Sequence, residues 1–150
     1  MEAFIVLCDA AQHDVASGKI NVLGGDWSVT DARPTQTAVA MFIRLSWEEA
    51  TEGRSFTLRL VDDTGKQVRI GEPGEERPIE YGGTLQLNES AADTDPAAKL
   101  VDVHNSFAVT VPELPLEPGR RYVWEVRTSG ELLSLVAFAV REAPPSPTDV

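Results

Sequence analysis

The chain has 150 residues, with 13 Lys+Arg against 24 Asp+Glu and a formal net charge of −11. At 42% hydrophobic and 25% charged it has the makings of one folded domain with its own core, which excludes a disordered acidic chain. The acidity argues against nucleic acid and anionic membranes as partners, because both repel a polyanion and no basic patch breaks the mean.

Reading from the N-terminus, Ala3 to Cys8 is an apolar run. It starts too early for a signal peptide, has Glu2 where a basic region belongs, and is far too short to span a bilayer. Cys8 is the single cysteine, so an internal disulfide and a multi-cysteine zinc cluster are excluded. The expected location is cytoplasmic. Asn88-Glu89-Ser90 has the form of a glycosylation sequon, but no secretory signal accompanies it.

The periodicity is that of strands nearly throughout. Val39, Met41, Ile43, Leu45 and Trp47 alternate with Ala40, Phe42, Arg44 and Ser46, and Phe56, Leu58 and Leu60 with Thr57 and Arg59. Phe107, Val109 and Val111 repeat the pattern, as do Tyr122, Trp124 and Val126. Such period-two runs place successive side chains on opposite faces of a strand. No segment of helical length keeps a 3.6-residue period between two caps. The predicted strands cover 3–12, 19–27, 38–46, 55–62, 67–70, 79–87, 103–111, 120–128 and 131–141. Turns are expected at Asp14 to Gly18, at Asp63-Thr64-Gly65-Lys66, and at Ser129-Gly130 as a two-residue hairpin.

The reading is an all-β, immunoglobulin-like antiparallel β-sandwich of about nine strands with Greek-key connections. Residues 1–141 form the domain and the Pro-rich 142–150 a disordered tail. Leu116-Glu117-Pro118-Gly119 followed by Tyr122 matches a tyrosine corner, in which a phenol bonds backbone a few residues upstream and pins a crossover between sheets. Tyr122, Trp124 and Trp47 are therefore assigned to structure. Strands 3–12 and 131–141 are apolar on both faces, which suits a central strand or one covered by a partner, and so points to a homodimer or docking surface. Residues 88–102 lack periodicity and read as a mobile acidic loop.

Candidate chemistry is sparse. Cys8 could act as a nucleophile only with a base nearby, and His13 and His104 are the two histidines available. Its apolar surroundings favour a packing thiol instead. Asp62, Asp63, Asp93 and Asp95 lie in two loops expected at one end of the sandwich, which makes them candidate ligands for calcium; solvated loop charge is the competing reading. Gly24-Gly25 and Gly82-Gly83 lack the Lys-Ser/Thr of a phosphate loop and suit bulges or strand ends. Trp27 reads as a rim residue, too little for a sugar-binding platform. Thr148-Asp149-Val150 has the form of a C-terminal segment captured by strand addition, a pattern short enough to arise by chance.

Leu7-Cys8-Asp9-Ala10-Ala11-Gln12, then Gly18-Lys19-Ile20-Asn21-Val22-Leu23-Gly24-Gly25-Asp26-Trp27, and later Pro118-Gly119 with Tyr122-Val123-Trp124, carry a resemblance. The chain resembles a family of small bacterial proteins, mainly actinobacterial, that constitute a domain of unknown function. The resemblance spans most of the chain apart from the tail. It is one of pattern and implies no catalytic residue or cofactor. The functional expectation is a non-catalytic interaction or assembly module binding a protein partner or a second copy, with no nucleic acid and no membrane. A calcium-dependent binding domain and a Cys8-dependent enzyme are the alternatives.

Overall fold

The computed structural model describes residues 1–34, 36–87, 95–111 and 113–142. The expected C-terminal motif, Asp93 and the sequon lie outside the described residues, as does most of the predicted tail. In chain order the elements are β1 Glu2–Cys8, β2 Ala10–Asp14, β3 Lys19–Leu23, β4 Val29–Thr30, β5 Thr37–Leu45 and α1 Trp47–Glu52. There follow β6 Arg54–Asp62, β7 Arg69–Ile70, β8 Arg77–Pro78, β9 Glu80–Leu85, a 3-10 helix Pro96–Leu100, β10 Val103–Val111, β11 Arg121–Thr128 and β12 Glu131–Val140.

The strands form two main sheets, ordered β1-β5-β10 and β4-β12-β11-β6-β9, with β2-β3 and β7-β8 as separate ribbons. Except for the short parallel pairing of β4 with β12, neighbours are antiparallel. The protein is an all-β sandwich, as the alternation predicts. Between the sheets lie Leu7, Val39, Met41, Ile43, Leu45 and Val111 from one side and Phe56, Leu58, Leu60, Tyr122, Trp124, Val126, Phe138 and Val140 from the other. Those of β5, β6, β10 and β11 are the inward phases read from the sequence.

Turn chemistry follows the residues. Ser129 and Gly130 both have positive φ, 48° and 83°, and join Thr128 to Glu131 as a pair. That is the handedness a two-residue hairpin requires, and glycine accepts it without strain. Gly65 closes the turn after β6, its N–H donating to Asp62 O at 3.0 Å.

Several expectations need correction. Trp47 does not continue a strand: β5 stops at Leu45 and Trp47 opens a helix. Ser46 caps it, accepting from Glu49 N while the Glu49 carboxylate accepts from Ser46 N. This Ser-x-x-Glu capping box satisfies two orphan backbone donors and outweighs the weak strand phase of a single tryptophan. The acidic trio Glu48, Glu49 and Glu52 therefore sits on a helix, with Glu49 also bound to the Met1 ammonium at 2.7 Å. Strand 3–12 divides at Asp9 into β1 and β2, and 19–27 ends at Leu23. There Gly24 has φ +60°, and a Cβ on it would lie 2.1 Å from Asp9 Oδ2. Nor is β1 central: it is the edge of its sheet, running alongside β12 of the other. No described helix is long and apolar enough to cross a membrane.

Tyr122 forms the corner bond: Glu117 N donates to its phenol oxygen at 2.9 Å. Its ring is buried and stacks on Phe138 at 5.8 Å. It thereby pins the passage from β10 to β11, where Leu114 and Leu116 enter the core. Tyr122→Phe keeps the ring and removes only this bond, so stability should drop by about 1 kcal/mol. A thermal melt should record a midpoint lower by about 3 °C, and an unchanged midpoint would mean the bond contributes nothing.

Candidate functional site

The site begins with the outward phase of β5. Register sets Glu2, Phe4, Val6 and Cys8 on β1 opposite Arg44, Phe42, Ala40 and Ala38 on β5. Beyond them stand His104, Ser106, Ala108 and Thr110 on β10. One end of this face is small: Ala38, Ala40 and Ala108 leave room for a third layer, and the β2-β3 ribbon lies down there. Ala11 and Ile20 pack on Cys8, Ala38 and Ala40, which are wholly buried. The apolar outer side of β1 is thus covered at this end by the chain itself.

At the other end the residues grow large and the ribbon stops. Phe4 and Phe42 stack with centroids 4.7 Å apart and planes 9° from parallel. Phe4 remains 43% exposed. Arg44 lies over the Phe4 ring at 5.6 Å, a cation–π contact. Together with Lys19 and Ile20 at the ribbon end and His104 and Ser106 on β10, these residues line a cleft of about 390 Å³. Neither Arg44 nor Lys19 makes an ion pair with any described residue. The size is that of small-ligand sites in general, and the make-up is an aromatic floor with cationic walls. A larger depression of about 790 Å³ is lined by Arg33, Arg69, Glu76 and Glu113, where the charges balance.

The sequence-derived candidates are dispersed. Cys8 is fully buried beneath the ribbon, its Sγ 3.4 Å from Ala38 O, and burial pushes the thiol pKa up. His104 is six residues along the sheet from the Cys8 row, about 20 Å at the rise of a strand. His13 is on the exposed side of β2. Neither histidine is placed to activate the thiol, and the raised pKa disfavours the thiolate.

Among the loop carboxylates, Asp62 Oδ1 already accepts from Thr64 N, Thr64 Oγ1 and Lys66 N, and the Thr64 bond foremost lowers its pKa. Asp63 is clasped by the Arg120 guanidinium, which holds its carboxyl below the usual range. Asp95 caps the 3-10 helix through Ala97 N at 3.0 Å. No three His, Cys, Asp or Glu side chains gather as a metal site among the described residues. Trp124 is buried in the core. Trp47 binds Val101 O through Nε1 at 2.9 Å. Trp27 is no rim residue: it packs edge-on against Phe138 at 5.5 Å with its Nε1 buried and unbonded.

The sequence reading missed the Phe4–Phe42 pair because the two are far apart in the chain. Its only trace was that Phe42 falls on the outward phase of an otherwise inward-facing apolar strand. The second sheet's outer face is instead polar at its centre. Glu125 takes Arg59 Nε at 3.0 Å and Arg127 Nε at 2.9 Å. Burial raises its pKa, but these two guanidinium bonds outweigh it and the net shift is downward.

Comparison with known proteins gives one positive finding: the family of unknown function DUF6941 matches residues 3–141. No curated protein and no solved structure matches the chain.

Two tests follow from this geometry. Ala40→Leu should overfill the space under the ribbon and cost about 1–3 kcal/mol. It should also open Cys8 to a thiol reagent that reacts with the native protein only on denaturation; equal reactivity in both would refute the three-layer account. Because the folded pKa of Glu125 is depressed, its contribution is present above the normal carboxylate range and is lost as pH falls through the folded value. Melting at pH 7 should therefore separate wild type from Glu125→Gln, and the gap should close on acidification below about pH 4. A gap that persists in acid would place its origin elsewhere.

Proposed function

Because the chain belongs to this family of unknown function, its role must be sought in its own surfaces, and we propose that it is a non-catalytic protein-interaction module. It receives an extended segment of a partner along the edge of β10. The carrying observation is that edge itself. All nine residues of β10 pair with β5 in unbroken register. The far side pairs with no described strand.

Sandwich edges are normally defended by charge, proline, bulges or brevity. The others here are: β9 contains Glu80 and Gly82-Gly83, β4 has two residues, and β1 is flanked by β12. By contrast, Val103-His104-Asn105-Ser106-Phe107-Ala108-Val109-Thr110-Val111, although the β2-β3 ribbon lies against it, carries no proline, glycine, lysine or carboxylate. Its outward N–H and C=O groups, which pair with no described strand, form a template for strand addition. The partner is an extended segment of another protein chain, and a second copy is an outcome the test below distinguishes.

A photo-reactive benzophenone residue placed at Thr110, with a control at Glu80 on β9, tests this in the source cell. Irradiation should yield a discrete adduct from position 110 and none from position 80. An adduct of twice the chain mass would identify the partner as a second copy. Absence of any adduct at 110 would overturn the proposal.

A further inference from the structure

The aromatic cleft and the β10 edge are continuous, because His104, Asn105 and Ser106 belong to both. A strand added to β10 would lie about 4.8 Å beyond it, its side chains alternating between the outer face and the sandwich side. On the outer face it would meet a row that steps down to Ser106 before rising to Phe42 and Phe4. The small serine leaves a path from the edge into the cleft. Along that path stand Lys19, Arg44 and His104, while Glu2 lies at the far side, opposite Arg44 in register. On the sandwich side the added strand would meet Phe107 and Val109, which are only half-buried.

From this juxtaposition we infer that the segment bound at β10 is acidic and apolar at alternate positions. Its carboxylates enter the cleft between Lys19 and Arg44, and its apolar side chains complete the cover over Phe107 and Val109. The methylene stem of a glutamate would rest on the Phe42 ring, and its carboxylate would meet two cations that have no ionic partner among the described residues. Arg44 is already oriented by the Phe4 ring beneath it, so little freedom is lost on binding. This selectivity opposes the net charge of −11, which would attract a basic segment. Local and global electrostatics thus predict opposite partners.

The inference rests on the β10 reading, and its test separates the two. Capped, fluorescently labelled octapeptides of alternating glutamate and leucine, and of alternating lysine and leucine, are titrated with the full chain at low and moderate salt. The glutamate peptide should bind at least tenfold more tightly than the lysine peptide and weaken as salt rises. Arg44→Gln and Lys19→Gln, both at exposed positions, should each lower its affinity several-fold while the chain still melts cooperatively as a folded protein. Equal binding of both peptides, or indifference to both substitutions, overturns the inference and leaves the β10 reading standing. Preference for the lysine peptide overturns the inference in favour of global charge. Failure of both peptides to bind, together with no photo-adduct at position 110, overturns both.

Discussion

Everything distinctive about this sandwich depends on β5 being buried on both faces. Its inward residues Val39, Met41, Ile43 and Leu45 fill the space between the sheets. Its outward residues Ala38 and Ala40 are equally inaccessible. Two-sided burial is usual for strands sheathed by helices and uncommon in a two-layer sandwich, where outer faces are wet. Here the third layer is a two-stranded ribbon, and its approach is set by side-chain size. Alanine lets the ribbon settle; Phe42 and Arg44 hold it off. The cleft is the boundary between those regimes, so packing and site have one origin.

A second constraint holds the two sheets in register with one another. The chain leaves β10, buries Leu114 and Leu116, turns at Gly119 and enters β11 in the other sheet. Tyr122 fixes this path by stacking on Phe138 and accepting from Glu117 N. Nearby, Arg120 gathers Asp62, Asp63 and Glu117. Charges that in the sequence suggest a cation site are thus employed in tying a turn after β6 to the start of β11. Exposed pairs of this kind add little stability singly, yet they fix where loops lie.

Charge is also where mean and local properties part. Net charge speaks to solubility and long-range attraction, while recognition is decided by the few side chains that converge on one spot. Lys19, Arg44 and His104 come from three different strands. Each lies next to acidic or neutral residues in the chain, so no basic run announces them.

What the sequence determined by itself was whatever depends on neighbours in the chain. The alternation in 55–62, 103–111 and 120–128 returned β6, β10 and β11 nearly residue for residue. Asp63 to Lys66 and Ser129-Gly130 gave turns because positive φ at glycine is a local property, and Glu117 to Tyr122 gave the corner because its bond closes over five residues. The capping box at Ser46 is equally local and legible, although the strand phase of Trp47 competes with it. Tertiary structure alone decided which apolar faces are covered. The outward side of β1 reads the same in sequence at Cys8, roofed by the ribbon, as at Phe4, left open. The union of Phe4, Phe42, Arg44 and Lys19 was likewise beyond reach. Strand pairing joins residues by register across dozens of positions, and period-two patterning says which face a side chain takes but not what stands opposite it.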